Sequence, residues 1–258
     1  MPNILLKNPL YAYLSIKHAA IATSFNQLTE KIDHQTLLQN NDAIPIWQQS
    51  CTRLDGLLKE TKAKPKTLLN LYIGSDLTRF LVLPAQKMLM NKQEKIAYAT
   101  AAFQDIYGAD VMEWEIKYHN NAPNQPTVIA AIDKNLVCTI NQLSLKNHFK
   151  LNNLQPYVTK AFNDSAKYLL QDDTYLAVIE VSRITLLFIK TGQYQQLRSH
   201  VIVDNWQADL KKILIRENAL NDMVCHNILI YSLMYQDESF SADNWNVQVV
   251  DQFKVKPK

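Results

Sequence analysis

The chain has 258 residues but only four glycines, Gly56, Gly74, Gly108 and Gly192, against an average usage of about 7%. Phosphate-cradling loops need several glycines within about eight residues for positive φ and close backbone approach, so no window holds a dinucleotide fingerprint, a Walker A loop or a kinase glycine-rich loop. With 47% hydrophobic residues the chain can bury a sizeable core, and 27 basic against 24 acidic side chains, net +3, are too balanced for a nucleic-acid footprint.

Tyr11–Ile16 and Ala20–Phe25 read as two short strands of a hairpin around Lys17-His18. After a polar stretch, Pro45 opens a helix with Trp47, Cys51, Leu54, Leu57 and Leu58 on one face, ending near Thr61. Leu68–Ile73 and Arg79–Leu83 read as strands joined by Gly74-Ser75-Asp76, a link suited to a hairpin. Asn91 and Glu94 form a capping pattern for a helix with Ile96, Ala99, Phe103 and Ile106 on one face, closed by Gly108.

Val111–Tyr118 alternates as a half-exposed strand does, and Thr127–Ile132 is an apolar strand ending at Asp133. Asp133 caps a helix burying Leu136, Val137, Ile140 and Leu143. A strand near Phe149–Leu154 leads to Pro156 and a helix carrying Val158, Ala161, Phe162, Ser165 and Leu169. Beyond Asp172-Asp173 come three consecutive strands, Tyr175–Val181, Ile184–Lys190 and Leu197–Val203, then a helix capped by Asn205. Ile228–Leu233 and Val247–Val250 supply two last strands. The result is an α/β chain in which strands cluster before helices.

Cys51, Cys138 and Cys225 are widely spaced and read as reduced, buried thiols. Leu68–Ala85, the longest apolar run, is broken by Asp76 and Arg79 and falls short of a membrane span. The N-terminus lacks a clean apolar core and cleavage site for a signal peptide, so the expected location is cytoplasmic. The lysine clusters at 62–66 and 254–258 read as solvated loops, with contact to anionic lipid or nucleic acid as the other option.

Three strands, helix, strand, helix over residues 175–235 is the build of one half of an actin-like ATPase, and the first half fits the same unit with insertions. Further residues carry the likeness: Arg79-Phe80-Leu81-Val82-Leu83-Pro84, Phe103 to Gly108, Trp114, Ala130-Ala131-Ile132-Asp133, Gln155-Pro156, and Glu180 with Arg198. Over roughly residues 70–200 the chain resembles the cytoplasmic actin-like domain of type II secretion protein L and, more distantly, type IV pilus assembly protein M. The resemblance implies an actin-like, ribonuclease H-like two-lobed fold with mixed sheets, the first lobe at 1–172 and the second at 173–258. It further implies a cytoplasmic scaffold at the inner face of the inner membrane. Its partners would be proteins of a secretion or pilus assembly platform, or a second copy as a homodimer. Membrane contact would come only through partners, and no nucleic acid would bind. Protein L continues into a membrane helix, so a chain of that branch ending at Lys258 is either a free-standing homologue or a fragment.

Active members of this superfamily carry an Asp and a Gly in the hairpin that opens each half. Here the second hairpin reads Ile179-Glu180-Val181-Ser182-Arg183-Ile184-Thr185, and the first, Leu14-Ser15-Ile16-Lys17-His18, has neither carboxylate nor glycine. The Gly-Gly expected after the late strand is absent from Ile228–Leu233. Ser15, Glu180, Ser182 and Thr185 are thus vestigial phosphate-loop positions, and neither nucleotide, other cofactor nor metal is expected. Two alternatives stay open: an ATP-binding ATPase or sugar-kinase relative, and a metal-dependent nuclease of ribonuclease H topology using Glu180 and Asp133.

Against these, Glu180 beside Arg183 reads more simply as an ion pair and Asp133 as a helix cap. The six histidines show no H-x-x-x-H spacing, and His226 beside Cys225 points elsewhere on any regular element. No serine-hydrolase elbow is present. Interaction is the expected role: Trp47, Trp114, Trp206, Trp245 and twelve tyrosines offer amphipathic groups of the kind that anchor interfaces, although most of them are expected in the core or half-buried. The strand at Val111–Tyr118 is a candidate sheet edge for a partner strand or a second copy.

Overall fold

In a computed structural model the described residues are 9–24, 28, 46–61, 63–86, 90–118, 125–169, 173–220, 225–232 and 239–250. The expectations at Phe25, His34, Pro45, His119, Asp172, Leu233, the polar stretch 29–43 and the C-terminal lysines lie outside them. The elements in chain order are β1 (Leu10–Leu14), β2 (Ala19–Ala22), α1 (Ile46–Glu60), β3 (Thr67–Ile73), β4 (Arg79–Leu83), α2 (Lys92–Tyr107), β5 (Trp114–Tyr118) and β6 (Thr127–Asp133). There follow α3 (Lys134–Lys146), β7 (Phe149–Pro156), α4 (Tyr157–Ser165), β8 (Thr174–Ile179), β9 (Arg183–Lys190), β10 (Gln193–Val201), α5 (Trp206–Leu220), β11 (Asn227–Ser232) and β12 (Asn246–Val249). By compactness the chain forms two units, Met1–Leu77 with Asp133–Tyr157, and Thr78–Ile132 with Val158–Lys258. The resemblance implies a single cut after residue 172; grouping by compactness instead leaves the first unit at Leu77 and returns to it at Asp133.

The first unit holds a sheet in the order β2-β1-β3-β7. β1 is antiparallel to β2 and parallel to β3, and β3 is parallel to β7. The inner strands β1 and β3 read as largely apolar runs, as strands covered on both faces do, and end in the buried Leu14 and Ile73. Leu14 pairs with Ile73 and Ile73 with Pro156, so the C-terminal ends of the three parallel strands are level. Asp55 of α1 is tied to α3 and its C-cap, accepting from Lys146 Nζ at 3.0 Å and Asn147 Nδ2 at 2.8 Å.

The second unit has a sheet in the order β10-β9-β8-β11-β12. β8, β9 and β10 form an antiparallel meander, while β8–β11 and β11–β12 are parallel. Trp206, Leu210 and Leu214 of α5 pack with Ile179, Ile184, Phe188 and Ile230. Asn205 starts α5 by accepting the Ala208 N–H at 2.7 Å. The series β9-β8-β11-β12 repeats the pairing directions of β2-β1-β3-β7 strand for strand. The chain thus carries one topology twice, as the actin-like reading requires.

A smaller three-stranded sheet, order β4-β6-β5, also belongs to the second unit and packs on α2 through Leu83, Ala99, Phe103, Ile129 and Ala131. The capping box on α2 is formed in full: Asn91 Oδ1 accepts from Gln93 and Glu94, and Glu94 Oε2 accepts the Asn91 N–H.

Three expectations are corrected. β3 and β4 do not form a hairpin: β1 and β7 occupy both edges of β3, so β4 finds no edge there and joins β6 instead. The strand expected from Val111 begins only at Trp114, because Gly108–Glu113 winds into a 3-10 turn that drives Val111 into the core at 1% exposure. Cys138, expected buried, is exposed; Cys51 and Cys225 are buried, and burial pushes the Cys51 thiol up to about 12.

Candidate functional site

The two structurally equivalent hairpin turns, β1–β2 and β8–β9, are where an actin-like protein would grip phosphate. In the first, Ser15 is buried, its N–H donates to the His18 carbonyl at 2.8 Å, and its Oγ accepts the His18 N–H at 3.0 Å. The Ile16 N–H donates to Asp76 Oδ2 at 3.1 Å. The outward carbonyls are taken as well: Ile16 O accepts from Ser50 Oγ at 2.8 Å and Lys17 O from Arg53 Nη1 at 2.7 Å. A backbone N–H that could serve an anion is here satisfied by the protein's own carboxylate.

Asp76 arrives from the loop after β3, and Gly74 makes that approach possible. The Gly74 N–H donates to Leu14 O at 2.8 Å. A Cβ on Gly74 would lie 2.8 Å from the Tyr13 hydroxyl and 2.9 Å from both Asp76 Oδ1 and Ser15 Cβ. With no side chain of its own, Gly74 lets Tyr13, Ser15 and Asp76 close in around it. In the sequence, Gly74-Ser75-Asp76 reads as a simple turn and this role is missed. The available signal is a lone carboxylate in a run apolar enough to be weighed as a membrane span, a sign of a buried and therefore bonded acid.

In the second turn Glu180 is 1% exposed and its N–H donates to Arg183 O at 2.8 Å. The Ser182 carbonyl accepts from the Ile202 N–H at 2.9 Å. Thr185 is fully buried and its Oγ1 bonds Ser199 Oγ at 3.2 Å, the atom that also receives Arg183 Nη1 at 3.3 Å. Among the described residues, positive φ outside glycine occurs at Lys66, His148, Thr191 and Asn244, so neither Ser15 nor Ser182 sits in a conformation that asks for glycine. The late strand β11 ends in buried Tyr231 and Ser232, and the Tyr231 hydroxyl donates to Asp164.

The second carboxylate weighed for a metal pair is committed locally: Asp133 Oδ1 accepts from Asn135 at 2.6 Å and from Leu136 at 3.3 Å, capping α3. Among the described residues no group of three His, Cys, Asp or Glu side chains is placed to hold a metal ion. No helix among them is long and apolar enough to cross a membrane.

Arg198, singled out with Glu180 in the sequence, is bonded to buried Glu217 at 2.9 Å. Glu217 also receives Arg216 at 3.2 Å, and His200 Nε2 stands 3.8 Å away. Burial, then the Arg216 charge, holds the His200 imidazole below its ordinary value. Among the described residues β5 is one of the two terminal strands of its sheet, the edge position expected of it.

Sequence comparison finds no matching family and no matching curated protein. Comparison of structures places the fold plainly as actin-like. The chain is similar to a Bacteroides thetaiotaomicron protein of actin-like ATPase fold and unknown function, at 13% identity and TM-score 0.53 over 90% of this chain and 84% of that one. It is also similar to a chain of the PilM-PilN type IV pilus biogenesis complex, at 9% identity and TM-score 0.63 over 96% and 89%. A third likeness is the cytoplasmic domain of EpsL, an inner-membrane component of the Vibrio cholerae type II secretion system, at 9% identity and TM-score 0.52 over 94% and 89%.

Proposed function

We propose that this protein is a non-catalytic actin-like scaffold that binds other proteins in a secretion or pilus assembly platform on the cytoplasmic side of the inner membrane. The observation that carries the reading is the Ile16 N–H held by Asp76 Oδ2 at 3.1 Å. A phosphate entering that turn would have to displace a fixed negative charge, and repulsion between the two disfavours the exchange. At the equivalent second turn the Glu180 N–H is likewise already taken, by Arg183 O at 2.8 Å. Structural likeness to a chain of the PilM-PilN complex and to the EpsL cytoplasmic domain supports the choice of platform.

The test is co-purification of the full chain with the pilus and secretion components of its host, with and without Mg-ATP. A stoichiometric complex of unchanged yield in both conditions is the expected result. Assembly that requires ATP, or that is released by hydrolysis, contradicts the reading.

A further inference from the structure

We infer that β5 is a homodimerisation edge, on which a second copy of the chain adds its own β5 antiparallel about a two-fold axis through Ile116. β5 is terminal in the order β4-β6-β5, so one side of its backbone is left unpaired by strands among the described residues. Such an edge is a template for strand addition. The sequence Trp114-Glu115-Ile116-Lys117-Tyr118 is complementary to its own reverse.

Centred on Ile116, antiparallel pairing sets Glu115 opposite Lys117 of the second copy and Lys117 opposite its Glu115. Trp114 then faces Tyr118 of the second copy on the other surface, because directly opposed residues share a face. The charged pair is available: Glu115 and Lys117 side chains are 38% and 78% exposed and touch each other at 2.8 Å within the strand. Trp114, Ile116 and Tyr118 line the face packed on α2. Aromatic pairing across the axis would therefore extend that core into the second copy. Centring on Glu115 or Lys117 instead sets like charges directly opposite each other, which is destabilising, so the charges select one register.

Exposed Ile106 and Met112, in the segments leading into the strand, enlarge the apolar margin. Five strand residues bury less than the roughly 800 Å² per partner of a stable interface. The dimer is accordingly weak, concentration-dependent and salt-sensitive.

The experiment is sedimentation of the full chain over a concentration series, with the variants Glu115→Lys and Lys117→Glu, their equimolar mixture, and the double variant carrying both. The native chain should rise from one chain mass toward two. Each single variant places like charges across the axis and should remain monomeric. The mixture and the double variant each restore opposite charges at both positions and should recover the native rise. A native chain monomeric throughout overturns the inference and leaves the edge to a strand of another protein. Single variants that associate like the native chain, or a mixture that fails to recover, overturn it equally.

Discussion

The Ile16 N–H and the Asp76 carboxylate meet at 3.1 Å across sixty residues of sequence. The bond joins the turn after β1 to the loop after β3, at the level C-terminal ends of two parallel strands, where α/β sheets receive their ligands. In this protein the Asp76 carboxylate stands at that place.

Replacing Asp76 by alanine removes the acceptor and leaves the Ile16 N–H in a partly buried site. Loss of a charge-assisted bond of this kind costs about 1–3 kcal/mol. Asp76→Ala should therefore lower the thermal unfolding midpoint, while a surface control such as Glu113→Ala leaves it in place.

Two glycines should respond in opposite directions. Gly74→Ala forces a Cβ to within 2.9 Å of three atoms, two of them on residues buried to about 1% exposure, and overpacking of this kind costs about 1–3 kcal/mol. Gly56 lies inside α1, where an added Cβ meets nothing within 4 Å, so Gly56→Ala should stabilise by about 0.5–1 kcal/mol through helix propensity. Denaturant midpoints of the two variants against the native chain check both signs.

Stability should fall in acid in two stages. Burial holds His200 below its ordinary value, so the unfolded chain takes up that proton first and stability declines as pH drops below about 6.5. The Asp55 carboxyl is held below the usual range by Lys59 and Asn147, and Asp209 by the backbone N–H groups of Val203 and Asp204. Their contributions are complete above the unfolded carboxylate value and disappear as pH falls below about 4. Asp55→Asn should flatten the lower stage and His200→Gln the upper one, read as melting temperature against pH.

Glu217 is 2% exposed and gathers Arg198, Arg216 and His200 between β10 and α5. Both arginines are about half exposed, so solvent screens part of their loss and Glu217→Ala should cost about 2 kcal/mol, below the range for a wholly buried pair. Arg198→Ala alone should cost less, since Arg216 remains. Unfolding of both variants and the double variant checks the order.

Most elements are legible in the sequence because their signals are local. The Asn91–Glu94 box, the Asp133 and Asn205 caps, and the apolar runs at Tyr175 and Ile184 each declare themselves within a few residues. Pairing partners are not. Gly74-Ser75-Asp76 looks like a hairpin turn in one dimension and proves to be a passage from one sheet to the next, since β1 and β7 already hold both edges of β3. The absence of glycine from both hairpin turns can be read directly. The bond from Ile16 to Asp76 cannot, because the two meet only through the parallel register of Leu14 with Ile73. The Glu217 cluster is hidden likewise: its members come from a strand and a helix whose packing no short motif records.

If the two turns have closed to nucleotide, the purified chain titrated with Mg-ATP in a calorimeter should give no saturable heat up to millimolar concentration. Saturable binding in the micromolar range would show that they still accept it, and the scaffold reading would fall.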